Sequence, residues 1–312
     1  MTVEISNPNA KELEETLRFA FEYLPDNELT ARMNSILEQY RSGTLRLDGI
    51  FQAKRHHQRV GVLFSQLRID RTVLSWVPVM RDGFSMALFF EPLQQFCTKN
   101  NAIAILALSD IGQQFDETTL TSVGKFELLS DLIYLVFPVA KKTADETTKD
   151  SDATAELQFI PMSHFSEDVF DQMEELVHAT YQNTRDFPQL MRITPVKKVL
   201  QLYQSGQIFL PELWFFVRKE NRNIGVLLMT DQPEEQIELT YMGLIEEVRG
   251  FGLSKEVVQY AQHIAGIRQR SFLLTSVDEQ NVAALRTYLS QGFSAWDRKS
   301  VYAKFLKPEH HK

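Results

Sequence analysis

The chain has 312 residues, 44% hydrophobic and 24% charged, with a formal net charge of −8. That length and usage suit two globular domains with cores of their own. The acidic total argues against general affinity for nucleic acid, whose partners present a basic face.

A single cysteine, Cys97, excludes an intramolecular disulfide and a cysteine-built zinc site. It lies in an apolar segment, where an inert buried thiol is expected. There is no leader pattern and no apolar run of about 18 residues, so a soluble cytoplasmic protein with no membrane partner is expected.

In chain order, helical spacing appears in LRFAFEYL (17–24) and again over 27–40. Three strands follow in LDGIFQAK, RVGVLFSQL and TVLSWVPV. A helix in SMALFFEPLQQFC, a strand in AIAILAL, a further helix and a strand in DLIYLVF complete the first half. KKTADETTKDSDATAE (141–156) lacks large apolar residues and reads as a linker. Domains over 1–140 and 157–312 are therefore expected.

The second half repeats the order. LQFIP is a strand, and the segments 165–181 and 195–206 are helices. ELWFFVRK, NIGVLLMT and QIELTYMGLI are meander strands. A glycine loop, a helix (254–267), the strand FLLTSV, a helix (281–291) stopped by Gly292 and the strand VYAKFL follow. Each half predicts an α/β mixed sheet, mostly antiparallel and flanked by helices. Gly124 precedes Gly292, Tyr134 precedes Tyr302 and Arg81 precedes Arg249 by the same 168 residues, which indicates duplication.

The loop RGFGLS, from Arg249 to Ser254, lies between a strand and a helix. Glycines allow positive φ and close backbone approach, and a helix start offers unpaired N–H groups to phosphate oxygens. A tight turn that merely needs glycine explains the same residues. The dinucleotide fingerprint fails because Lys255 stands at the third glycine, and no GxxxxGK[ST], GxSxG or HExxH occurs. His56 and His57 are adjacent and cannot share a helix face, so no metal is expected.

Downstream lies SVDEQNVAALRTYLSQGF (276–293). Arg249, Gly252 and Ser254, followed by Asn281, Ala284, Tyr288, Gly292 and Phe293, resemble the paired motifs of the GNAT superfamily of acyl-CoA-dependent N-acyltransferases. Ser254 stands where that family more often has Gly or Ala. The resemblance covers about residues 157–306, and the duplicated chain looks like a bacterial tandem-GNAT protein.

The resemblance implies acetyl-CoA as acyl donor, with no metal. The loop Arg249, Gly250, Phe251, Gly252, Leu253 and Ser254 would hold its pyrophosphate. Met242, Gly243 and Leu244 would splay from the neighbouring strand and pair with pantetheine, and an amide there would stabilise the oxyanion. Asn281 would bond near the pantetheine or cap its helix. Tyr288 would protonate the thiolate, or is a core residue.

Glu238 resembles the strand glutamate that acts as base in the histone-acetylating branch, or it faces solvent. By alternation it shares a face with Thr240 and Met242. Glu212 and Asp186 are further candidates for the base. Under the 168 shift RGFGLS becomes RDGFSM (81–86), Asn281 becomes Gln113 and Tyr288 becomes Leu120, so the first half reads as a degenerate copy.

The implied activity is acyl transfer to a primary amine, small-molecule or peptide, by direct attack in the C-terminal half. The alternative is a non-catalytic acyl-CoA sensor or scaffold. The acidic total slightly favours a cationic acceptor.

Overall fold

A computed structural model describes residues 2–140, 156–162, 166–191, 193–205 and 209–306. The expected linker, apart from Glu156, and the last six residues lie outside them. In chain order the elements are β1 (Glu4–Ser6), α1 (Leu13–Ala20), α2 (Asp26–Arg41), β2 (Ile50–Arg55), β3 (Gln58–Leu67), β4 (Thr72–Trp76), β5 (Val79–Met80), α3 (Phe90–Lys99), β6 (Ala104–Asp110) and β7 (Glu127–Pro138). Then come β8 (Gln158–Pro161), α4 (Glu167–Thr180), α5 (Pro188–Met191), α6 (Val196–Ser205), β9 (Trp214–Lys219), β10 (Arg222–Gln232), β11 (Gln236–Leu244), α7 (Leu253–Ile267), β12 (Phe272–Asp278), α8 (Val282–Ser290) and β13 (Ser294–Phe305).

The chain forms two units, one of residues 1–129 with 299–312, the other of residues 130–298. This differs from a division in chain order, and strand pairing is the reason. β7 pairs with β12 through Leu132↔Asp278 to Pro138↔Phe272, whereas β13 pairs with β6 through Lys299↔Asp110 to Phe305↔Ala104.

The first unit has the strand order β1-β2-β3-β4-β6-β13, with β5 added on β3, and among the described residues only β4 and β6 are parallel. Alternation along β2 and β3 sends Ile50, Val62 and Phe64 toward α1 and α2, and Phe51 and Leu63 toward the α3 side. Cys97 is buried on that side, as expected, and desolvation pushes its thiol up to about 12.

The second unit has the order β7-β12-β11-β10-β9-β8, with only β11 and β12 parallel among the described residues. α4 opens on Ser166, whose hydroxyl accepts from Val169 N at 3.3 Å, and it buries Phe170, Met173 and Val177 at helical spacing. These meet Trp214, Phe216, Val226 and Leu228 on one sheet face. Phe215, Val217, Leu227 and Met229 alternate to the other face, against Val257, Val258, Ala261 and Ile264 of α7. Fully burying one such side chain is worth about 1.5–3 kcal/mol. α8 ends where Gly292 turns to φ +87°, the expected stop.

Both units repeat one pairing scheme, but not at a constant shift. Gly61 faces Met80 as Gly225 faces Leu244, and Ser65 faces Ser75 as Met229 faces Leu239, an offset of 164. Thr72 faces Ala104 as Gln236 faces Phe272, so the offset is 164 on the first strand of that pair and 168 on the second. The missing four residues fall in the loop that joins strand to helix. Arg81 therefore corresponds to Ile245 rather than Arg249, which corrects the uniform shift. A single shift read from conserved-looking glycines cannot see a deletion that lies between them.

Candidate active site

The site begins where two parallel strands part. β11 and β12 pair only from Gln236↔Phe272 to Glu238↔Leu274. One rung further, Thr275 Oγ1 donates to Leu239 O at 2.9 Å, and beyond it the strands form an open fork. On the other edge of β11, Ile245 N donates to Ile224 O at 2.9 Å. Alternation then turns the N–H groups of Met242 and Leu244 into the fork.

A bulge between Leu228 and Met229 of β10, opposite Thr240, interrupts the alternation of side chains. Tyr241 packs on the α4 face, whereas Met242 and Leu244 join Ile237 and Leu239 on the α7 face. The expectation that Met242 shares a face with Glu238 fails for this reason.

The loop after β11 is anchored by Arg249. Its guanidinium donates to Leu244 O at 2.9 Å, Gln182 O at 2.8 Å and Thr180 O at 2.7 Å, satisfying carbonyls at and just beyond the end of α4. Gly250 and Gly252 have φ of +86° and +84°, a region that L side chains rarely adopt. No side chain caps the first turn of α7, so its amides face the cavity side without a protein partner of that kind. Gly243 has no room for a side chain, because a Cβ there would come within 2.6 Å of Thr180 Oγ1 and Tyr241 Oη.

Fork and loop enclose a cavity of about 630 Å³. Its walls include Met242, Gly243, Leu244, Arg249, Gly250, Gly252, Leu253, Ser254 and Asn281, nine of the residues singled out in the sequence. Phe251 is 77% exposed at the loop tip and lies outside the wall. Asn281 caps α8, its Oδ1 accepting from Ala284 N at 3.3 Å, so the capping role is present while the residue also faces the cavity.

Tyr288 does not line the cavity. It is 5% exposed in the core, edge-on to Phe293 at 5.4 Å, with its hydroxyl on Thr275 at the fork. Burial raises its pKa, and the nearby charge of Asp186 adds to this, so the phenol keeps its proton. Glu238 lies at the last paired rung, away from the cavity wall, and accepts from Gln232 Nε2 at 2.8 Å. Desolvation raises its carboxyl. Glu212 forms an ion pair with Arg268 at 3.1 Å and also stands off the cavity.

Asp186 lies in the wall. It sits in the loop after α4, half-buried, and Oδ1 accepts from Asp278 N at 3.3 Å. Desolvation pushes its carboxyl up to about 6; the Asp278 charge adds to this and the Asp278 amide opposes it. No spacing rule picks out an aspartate in a loop, so sequence reasoning gave it no priority. A second cavity of about 530 Å³, lined by His178, Tyr181, Pro188 and Thr194, shares Asn183 and Thr184 with the first.

The first unit lacks these features. β4 and β6 stay paired through Trp76↔Leu108, and Val77 N still donates to Leu108 O. Gln113, the counterpart of Asn281, donates Nε2 to Val77 O at 2.7 Å and closes the fork.

Comparison with known proteins gives the following likenesses. Residues 172–293 match the acetyltransferase (GNAT) family. The chain is 32% identical over 95 residues to the peptidyl-lysine N-acetyltransferase YjaB of Salmonella typhimurium, a stretch covering 30% of this chain and 59% of that protein. It shares a fold with a GCN5-related N-acetyltransferase from Sphaerobacter thermophilus, with a TM-score of 0.63 and 14% identity over 98% of this chain and 96% of that one. A tandem GNAT protein from the clavulanic acid biosynthesis pathway superposes with a TM-score of 0.52 at 10% identity, covering 99% and 100% of the two chains.

Proposed function

We propose that the chain is a GNAT-superfamily protein through its second unit, and that it transfers an acetyl group from acetyl-CoA to a primary amine there. The observation that carries this reading is the open fork beside a helix start: outward amides of Met242 and Leu244 on one side, and the positive-φ glycines Gly250 and Gly252 on the other.

The residues present fit the donor. Loop amides from Gly250 to Ser254 hold pyrophosphate oxygens, with Arg249 fixing the loop rather than touching the phosphate. The edge of β11 pairs with the pantetheine amides as an added strand would. A Met242 or Leu244 N–H donates to the thioester oxygen and stabilises the negative charge that develops on it.

The neutral amine nitrogen bonds to the carbonyl carbon, the C–S bond breaks, Tyr288 gives its proton to the departing thiolate, and the N–H proton lost as the amide forms returns to the Tyr288 oxygen through solvent. Its bond to Thr275 places it at the fork, where that sulfur leaves. The second cavity, on the far side of Asn183 and Thr184, is the acceptor's approach. A lysine side chain or a small cationic amine suits its position beside Asp186.

Amine-dependent release of free thiol from acetyl-CoA tests the reading. Transfer to spermidine or to an N-acetylated lysine peptide supports it. Tight binding of acetyl-CoA without thiol release to any amine favours the sensor alternative instead.

A further inference from the structure

We propose that Asp186 takes the proton of the acceptor amine, and that Asp278 is the positioning residue that holds it at the fork. The proposal rests on the acyl-transfer reading. Its evidence is a two-way clasp: Asp278 N donates to Asp186 Oδ1 at 3.3 Å, and Asp278 Oδ2 accepts from Phe187 N at 3.1 Å. The loop after α4 is thereby tied at two successive residues to the end of β12. Asp278 Oδ1 is itself fixed by Gln280 N at 2.9 Å and by the Ser130 hydroxyl. Oδ2 of Asp186 is left for the acceptor.

The first unit supplies an internal comparison. Asp110 ends β6 as Asp278 ends β12. There it meets Arg32, Lys299 and the Tyr23 hydroxyl, so its charge is neutralised. In the second unit the same strand end meets a second carboxylate, with no cation paired to it among the described residues. The unit with the open fork is thus the one that keeps a basic carboxylate beside it. Glu238 is less suited: its oxygen is taken by Gln232 and it lies off the cavity wall.

The groups that face Asp186 are Asp278 from β12, Tyr181 from the end of α4, Tyr241 from β11 and Tyr288 from α8. Tyr203 of α6 acts on Tyr181 and Tyr241, and Arg249 acts on Tyr241. The tyrosines stay neutral because burial raises them; burial is also what raises Asp186 most, and the charge that raises it further is that of Asp278. In the step, the ammonium N–H bond breaks and its proton passes to Asp186 Oδ2. The freed lone pair attacks the thioester. As the C–S bond breaks and Tyr288 protonates the thiolate, the second proton on the attacking nitrogen passes by way of solvent to the Tyr288 oxygen, leaving a neutral amide and a free thiol. Asp186 returns its own proton to solvent after product leaves.

The test uses the full chain with saturating acetyl-CoA and, as acceptors, spermidine and an N-acetylated lysine peptide. Thiol release is followed across about pH 5 to 9. For the wild type, kcat/KM rises with pH through an inflection near 6. Asp186→Asn lowers kcat/KM by about 10²–10⁴-fold and abolishes the inflection, with acetyl-CoA affinity by calorimetry unchanged. Asp278→Asn moves the inflection to lower pH, because a like charge is removed. A merely structural role would change its melting temperature and not the inflection.

If Asp186→Asn does not fold, Asp186→Glu is read instead, and it must keep an inflection. Asp186→Asn within about threefold of wild type, an unmoved inflection in Asp278→Asn, or an inflection lost only in Glu238→Gln overturns the proposal. A wild type that binds acetyl-CoA but acylates neither amine overturns the acyl-transfer reading itself, an outcome distinct from these.

Discussion

At the residue scale, several candidate side chains have a packing role beside the chemical one, and substitutions separate the two. Tyr288→Phe keeps the ring against Phe293 and removes the proton donor. The proposed role predicts a loss of about 10²–10⁴ in kcat with acetyl-CoA affinity unchanged. A purely structural hydroxyl predicts a drop of about 1 kcal/mol in stability and normal turnover, so a melting curve and a rate on one variant decide.

Gly252→Val tests the loop. A Cβ there meets nothing within 4 Å, so the cost is backbone strain at φ +84° rather than a clash. About 1–2 kcal/mol of stability and a marked weakening of acetyl-CoA binding are expected. Calorimetry of the folded variant checks this, and unchanged affinity would remove the loop from the donor site.

The cavity wall was largely legible in the sequence because glycine, asparagine and arginine answer to backbone needs that spacing reveals. Asp186 was not, because its character comes from enclosure and from a neighbour 92 positions away. The face shared by Glu238 and Met242 was misread because a bulge at Thr240 alters a face that strict alternation defines.

At the element scale, the two units show one strand pair used in two ways. Most strands and amphipathic helices follow from hydrophobic period and turn residues. The helix expected over 17–24, however, lies at Leu13–Ala20, the further helix expected before β7 is a single π-helical turn over Thr119–Val123, and the three-residue strand β1 was not anticipated. The short helix α5 was missed, since four residues carry no period to read. The fork itself is invisible to local pattern, because whether two parallel strands part depends on what lies between them.

In the first unit Asp110 lies beside the closed fork among Tyr23, Arg32 and Lys299. Burial, the largest single effect, raises its carboxyl, but Arg32, Lys299 and Tyr23 together outweigh that and hold it at about 2. A depressed carboxyl contributes stability above its ordinary value of 3.8, and that contribution is lost as pH falls toward about 2. The contribution is about 2 kcal/mol. Asp110→Asn is therefore expected to lower the melting temperature at neutral pH and to flatten its decline below about pH 4. A wild-type melting profile in that variant would show the cluster to be neutral for stability.

At the scale of the whole molecule, each unit is completed by a segment from the other half of the chain: residues 130–138 serve the second and 299–305 serve the first. Chains of residues 1–140 and 157–312 expressed separately each lack a strand that their unit uses. Each alone is expected to be poorly folded, and coexpression is expected to restore one soluble complex. Independent folding of both, seen by their own cooperative melts, would contradict the division.

On the proposed function the donor site is built once, at the open fork of the second unit. Titration of the full chain with acetyl-CoA by calorimetry tests it most directly. One molecule bound per chain, with affinity lost in Gly252→Val, is the predicted result. Two molecules per chain, or one whose affinity is untouched by Gly252→Val, would contradict it.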